Sequence, residues 1–396
     1  MHKLCSVLLF LLSITVFAQS QKADLIRIMT APVSDTYEVA INERADFEVS
    51  IFKYGKLVKN ASITYTIAPE QMDAQITKSI VLKDGQGLLE GIKLSEPGFI
   101  RLTVSFKDGE TVYENTATAG VALKDLKTYT ALPTDFDAFW TRAIEDARKI
   151  PLEPLLTRMP EKDTSTKHAY HVRFNHGNKS FIYGILTVPI APGKYPAVLH
   201  VPGAGVRPYE GTDYNDQIVS LQIGIHGIPV NLYDSDIYEN LRNGALYKYY
   251  NNRMDDRNRY YFKRVYTACI RAIDFIHTLE EFDGENLGVT GGSQGGALTI
   301  ITAALDSRVD AIAAYYPALS DLEGYKHNRA GGWPRFDGKG LEYSEQLLKV
   351  GRYYDVVNFA RKLKVPGYYG YGYNDDVCPA TSITAMLNEI KAKKQV

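Results

Sequence analysis

The sequence carries almost no charge imbalance, with 45 Lys and Arg against 46 Asp and Glu and a formal net charge of −1. A nucleic-acid or anionic-membrane partner calls for a basic excess, so both are excluded as partners. Cysteine is nearly absent, with three in 396 residues. Cys5 falls in the N-terminal apolar run. Of the remaining two, Cys269 lies in a helical pattern and Cys378 in a loop, so a disulfide is open but two buried free thiols are the expectation. No pair of the eight histidines has a spacing such as H-E-x-x-H, so neither a metal nor a cofactor is expected. Long apolar runs are scarce too. The run from Leu4 to Phe17 follows His2 and Lys3 and precedes Ala18-Gln19-Ser20, the pattern of a signal peptide over residues 1–20, cleaved after Ala18 or after Ser20. It is short for a bilayer span, which takes about 20 residues. A secreted or periplasmic protein is expected, with no membrane anchor in the mature chain.

What is present falls into two parts, as the length suggests. Residues 21–124 show strand periodicity. Ile100, Leu102, Val104 and Phe106 alternate with Arg101, Thr103 and Ser105, between the turn signals Pro97-Gly98 and Asp108-Gly109. Phe47, Val49 and Ile51, and Ile63, Tyr65 and Ile67, alternate likewise, which predicts a small immunoglobulin-like β-sandwich acting as a spacer or packing module. From residue 125 to 396 strand and helix patterns alternate. A helix opens near Thr134 or Asp135, strands fall at Phe181 to Val188, Ala197 to Val201 and Ile228 to Leu232, and a long helix runs from about Tyr261 to Leu279. Further strands follow at Ala311 to Tyr315 and Pro366 to Tyr371. Such alternation predicts an α/β domain, a mostly parallel sheet with helices on both faces and chemistry at the carboxyl ends of its strands.

One stretch organises the second part. Leu287-Gly288-Val289-Thr290-Gly291-Gly292-Ser293-Gln294-Gly295-Gly296, followed by an apolar run to Leu305, reads as strand, tight turn and helix with Ser293 at the apex. This is the G-x-S-x-G nucleophile elbow, in which a Cβ at Gly291 or Gly295 would collide with neighbouring backbone. The geometry exposes the Ser293 hydroxyl and aims the Gln294 N–H at a developing oxyanion. His200-Val201-Pro202-Gly203-Ala204-Gly205 leaves a strand into a small-residue loop, where the Ala204 N–H is the candidate second donor. Tyr373-Asn374-Asp375-Asp376-Val377-Cys378-Pro379 follows a strand, and either Asp375 or Asp376 is placed to orient an imidazole. His168, His171, His176, His200, His226, His277 and His327 all precede Asp375, and each reads as structural or surface.

These motifs resemble the acetyl xylan esterase / cephalosporin C deacetylase family of α/β-hydrolases. The similarity rests on Gly291-Gly292-Ser293-Gln294-Gly295-Gly296, on Tyr260 to Tyr266 with Arg271-Ala272-Ile273-Asp274, and on Asp135 to Trp140 with Pro151-Leu152-Glu153-Pro154. It continues through Tyr316-Pro317 and Asp375 to Pro379, spanning about 133 to the C-terminus. The resemblance implies Ser293 as nucleophile, Asp375 rather than Asp376 as triad acid, and the N–H groups of Ala204 and Gln294 as oxyanion hole. Two motifs depart from it: Tyr233-Asp234-Ser235 stands where the family has Arg-Gly-Gln, and Pro202-Gly203-Ala204 where it has His-Gly-Tyr.

The resemblance also implies a histidine base in a loop after Asp375 and one further strand. A helix over about Pro379 to Lys394 would leave room for neither, so the α/β domain is expected to lack both and the reading frame to continue past Val396. The expected activity is a serine esterase removing acetyl groups from acetylated xylan or related oligosaccharides through an acetyl-serine. Tyr209, Tyr316 and Trp333 are candidate sugar-facing walls, and a homo-oligomer is left open. The rival expectations are a peptidase with an N-terminal β-domain and an inactive glycan-binding protein.

Overall fold

The computed structural model describes residues 25–177, 180–212, 214–233, 235–336 and 344–396. Residues 1–20, on which the signal-peptide expectation rests, and Asp234 lie outside the described residues. Nine strands form the first part: β1 (Ile26–Pro32), β2 (Glu38–Val39), β3 (Arg44–Lys53), β4 (Lys56–Leu57), β5 (Ala61–Pro69), β6 (Ile76–Leu82), β7 (Gln86–Lys93), β8 (Gly98–Asp108) and β9 (Thr111–Val121). β1, β3, β4 and β7 make one sheet; the other runs β2-β9-β8-β5-β6. The alternation along β3, β5 and β8 turns Phe47, Val49, Ile63, Ile67, Ile100, Leu102 and Val104 into one shared core between the sheets. The opposite face of β8 carries Arg101, whose cross-strand neighbours are Ala68 on β5 and Thr118 on β9.

The second part opens with helix α1 (Phe136–Arg148) and builds a nine-stranded sheet. Its members are β10 (Leu155–Arg158), β11 (Lys167–Asn175), β12 (Phe181–Pro189), β13 (Tyr195–His200), β14 (Val219–Gly224), β15 (Phe282–Gly292), β16 (Ala311–Tyr315), β17 (Gly367–Gly370) and β18 (Lys394–Gln395). The order is β10-β11-β12-β14-β13-β15-β16-β17-β18; pairing is antiparallel from β10 to β14 and parallel from β14 onward. The remaining α-helices are α2 (Ile237–Asn243), α3 (Tyr261–Ile276), α4 (Gln294–Leu305), α5 (Glu345–Gly351), α6 (Val356–Ala360) and α7 (Ala380–Glu389). α4 is apolar all round because it is buried all round, between the sheet and its neighbours α3 and α6.

Two expectations are corrected. The strand expected at Ile228 to Leu232 lies instead at Val219–Gly224, where Val219, Leu221 and Ile223 are buried. Pro229 has no N–H for a ladder, and Gly227 at φ 70° turns the chain out of the sheet. At the other end α7 stops at Glu389, not near Lys394. Ile390 is extended and buried, and Lys394–Gln395 pairs in parallel with Gly367 and Tyr368. Lys394–Gln395 thus forms the edge of the sheet beside β17. The charge of Lys391, Lys393 and Lys394 suits a helix C-terminus. Lys394 Nζ does bond the Leu387 and Ile390 carbonyls, at 2.5 and 3.1 Å, but it does so from the following strand.

Candidate active site

β15 buries Leu287, Val289 and Gly291 on one face and delivers the chain to Ser293, which sits at φ 59° and ψ −122°. A non-glycine residue at this φ is a strained turn, held because its surroundings over-determine it. The Ser293 N–H donates to Tyr315 O at 3.0 Å, and its carbonyl accepts from the Ala297 and Ala318 N–H groups at 3.1 Å each. The flanking glycines are required by close approach. A Cβ on Gly291 would lie 2.5 Å from Val201 O and 2.8 Å from Gly295 C, and one on Gly295 would lie 2.5 Å from Val201 O.

The loop after β13 lies against this turn, with Gly205 at φ 129°. Among the described residues neither the Ala204 nor the Gln294 N–H has a recorded acceptor. Three carbonyls of this loop, by contrast, are tied down. Gln294 Nε2 donates to Pro202 O at 3.3 Å, Arg207 to Ala204 O at 2.8 Å, and His226 Nε2 to Gly205 O at 3.0 Å. The Tyr249 hydroxyl donates to Gln294 Oε1 at 2.5 Å. Gly205 O can only accept, so His226 carries its proton on Nε2 and its Nδ1 takes the Tyr261 hydroxyl at 2.8 Å. Burial lowers the His226 pKa from 6.5 to about 4, which keeps the ring neutral.

The loop after β17 reaches the serine through Cys378. Its Sγ lies 3.9 Å from Ser293 Oγ, and its N–H, with that of Val377, donates to Asp375 Oδ1 at 2.8 Å. Burial, with the nearby Asp375 charge, pushes the Cys378 thiol up to about 12, so it is a packed neighbour of the hydroxyl and not a thiolate. Cys269 and Cys378 are both free and buried. Asp376 points away, exposed, to Arg101 on β8.

Of the aromatic candidates, Tyr316 is 43% exposed and its ring approaches Gly292 beside the elbow. Trp333 is half-buried against Tyr250 at 4.7 Å. Tyr209 corrects the expectation: it is buried with Met159, Ala169, Ile185 and Val230, and its backbone N–H bonds Val230 O, so it offers no wall to a sugar. Sequence reasoning missed Cys378, Tyr249 and His226 here, because their roles rest on contacts across the fold rather than on a motif.

Among the described residues no histidine hydrogen-bonds Ser293. His200 Nδ1 meets the Tyr214 hydroxyl at 3.0 Å, and His176 Nε2 meets Thr267 at 2.8 Å with its pKa lowered by burial to about 3. His171, His277 and His327 pack on Tyr183, Phe282 and Tyr129, and His168 lies beside Arg158 and Asp163. Among the described residues there is no metal-ligating cluster, and no helix is long and apolar enough to cross a membrane.

The model of a sequence family described as "Acetyl xylan esterase (AXE1)" matches residues 117–396. The acetyl esterase Axe7A of Xylanibacter ruminicola is 38% identical over 409 residues, covering 100% of this chain and 91% of that protein. Among solved structures, the acetyl xylan esterase from Paenibacillus sp. R4 superposes with a TM-score of 0.57 at 26% identity, over 69% of this chain and 90% of its own. Acetyl xylan esterase 1 from Thermoanaerobacterium sp. JW/SL YS485, at 24% identity, TM-score 0.57 and coverage of 69% and 89%, shares the same α/β-hydrolase fold.

Proposed function

The chain belongs to the acetyl xylan esterase family of carboxylic-ester hydrolases, and from that premise we propose that it removes acetyl groups from acetylated xylan or its oligosaccharides through an acetyl-serine on Ser293. The observation that carries the assignment is the Ser293 turn, at φ 59°, with the Asp375 loop brought to the hydroxyl through Cys378 at 3.9 Å. Ser293 Oγ attacks the acetyl carbonyl carbon. The charge on the carbonyl oxygen is taken by the Gln294 and Ala204 N–H groups, whose loop is held by Gln294, Arg207 and His226. Collapse expels the sugar oxygen, which takes up the proton that Ser293 Oγ gave up, and water then attacks the acetyl-serine, returning a proton to Ser293 and releasing acetate.

Asp375 is the acid that orients the imidazole base, and none of the seven described histidines is assigned as that base. Tyr316, beside the elbow, and Trp333 are the sugar-facing aromatics of this reading. The apolar leader of residues 4–17 supports secretion or a periplasmic site. Ser293→Ala removes the attacking atom without removing packing, so hydrolysis of para-nitrophenyl acetate is expected to fall to background with an unchanged circular dichroism spectrum. Wild-type turnover in that variant refutes the assignment.

A further inference from the structure

The loop that carries Asp375 is held from outside its own sheet. Arg101, on the polar face of β8, has a side chain only 10% exposed and spends its whole guanidinium on this region. Nη2 donates to the carbonyls of Tyr373 at 2.9 Å and Asp375 at 3.3 Å and to Glu70 Oε1 at 2.7 Å. Nη1 donates to Asp376 Oδ1 at 2.5 Å, and Nε to Thr118 Oγ1 at 3.3 Å.

Glu70, just beyond β5 and fully buried, reaches the other side of the loop. Its carboxylate accepts the Ala380 and Thr381 N–H groups, at 3.1 and 2.8 Å, at the start of α7. Burial pushes the Glu70 pKa up, and Arg101 and these N–H groups oppose the push. Thr118 on β9 donates to Asn374 Oδ1 at 2.7 Å, Asn374 Nδ2 donates to Thr116 O at 3.0 Å, and Gln71 Nε2 donates to Asp376 O at 2.9 Å. Phe99 meets the Tyr373 ring edge-on at 4.9 Å. Residues 373–381 are thus bonded at both ends to β8, β9 and the turn that leaves β5, by contacts some 250 to 310 positions apart in the chain.

We propose that the N-terminal β-sandwich is part of the catalytic apparatus, with Arg101 and Glu70 as positioning residues that set the Asp375 loop against Ser293. The inference rests on the reading of Asp375 as the acid. A planar guanidinium that bonds two loop carbonyls and two carboxylates at once fixes a backbone more tightly than a single pair does. A carboxylate displaced by about 1 Å at an acid position costs on the order of 10²-fold in rate. The N–H groups of Val377 and Cys378 hold Asp375 from within the loop, but the loop as a body is held by the sandwich.

The test is a double-mutant cycle on the full chain. Arg101→Met with Glu70→Gln removes the clamp without stranding a buried charge, and Thr118→Val is a milder second variant that leaves the Arg101–Glu70 pair in place. Each is measured alone and on an Asp375→Asn background. The expected result is a kcat fall of about 10- to 100-fold for the clamp variant and a smaller one for Thr118→Val, with KM unchanged. No further fall is expected on the Asp375→Asn background, because the clamp acts only through that carboxylate. Hydrogen exchange of residues 371–381 should quicken in both variants while the strands of the sandwich stay protected. An unchanged kcat, or the same fold-loss with and without Asp375, overturns the proposal. Full activity in Asp375→Asn with the clamp intact overturns the acid assignment instead, and the positioning role with it.

Discussion

His226 offers a test of the oxyanion loop that reads in stability. Its ring is neutral in the fold with a pKa of about 4, against 6.5 in an unfolded chain, because burial penalises the imidazolium. The lowered folded value means that the unfolded state binds the extra proton first. Stability is therefore full above pH 6.5 and is lost progressively as pH falls from 6.5 toward 4. At pH 5 the two constants give a loss of about 2 kcal/mol for this residue, a factor of about 30 in the unfolding equilibrium.

His226→Gln keeps a side-chain donor for Gly205 O and removes the titration. Urea unfolding at pH 8 and at pH 5 on both proteins is the assay. Wild type is expected to lose about 2 kcal/mol more than the variant over that interval, whatever the offset between the two at pH 8. A pH dependence identical in both proteins, or a His226 imidazole resonance titrating near 6.5 in the folded wild type, refutes the reasoning. Other histidines cancel in the comparison, His176 among them, since they titrate alike in both chains.

Membership of the acetyl xylan esterase family and the geometry of the elbow each give one further outcome. Acetyl esters should be turned over faster than octanoyl esters of the same alcohol, since a pocket fitted to a methyl group rejects a longer chain and each methylene in a fitted site is worth about 1 to 3 kcal/mol. A preference for octanoyl in a para-nitrophenyl ester series refutes this reading. Gly291→Ala places a Cβ 2.5 Å from the backbone oxygen of Val201, which cannot swing aside as a side chain would, and is expected to destabilise by about 1 to 3 kcal/mol or more and to lower kcat. A melting temperature and turnover equal to wild type refute the close-approach argument.

The elbow was legible because it is local. Glycines at 291, 292, 295 and 296 around one serine, a buried strand before and an apolar helix after, leave little freedom in how ten residues fold, and the observed turn has the close contacts that a Cβ would violate. The alternating strands of the sandwich were legible for the same reason, as were the two thiols that stay apart. Where local signals compete, reading failed. Ile228 to Leu232 is as apolar as a strand, but Pro229 and the neighbouring glycines keep it out of the sheet, and Val219–Gly224 takes the place. Lys391 to Lys394 has the charge of a helix end, but Ile390 is extended and buried and hands the chain to β18.

By itself the sequence singled out Ser293, Gln294 and Ala204 as the candidates for chemistry, through residue types and spacings around two tight turns, while the choice of Asp375 over Asp376 came from the family resemblance. Only the tertiary structure decided what holds them: His226 on Gly205, Tyr249 on Gln294, Cys378 on Ser293, and Arg101 and Glu70 on the loop of Asp375. It also decided that Tyr209 is core and Tyr316 is surface. Those choices depend on which residues far apart in the chain the fold brings together, and a periodic pattern states which face of a strand is buried without stating what the other face meets.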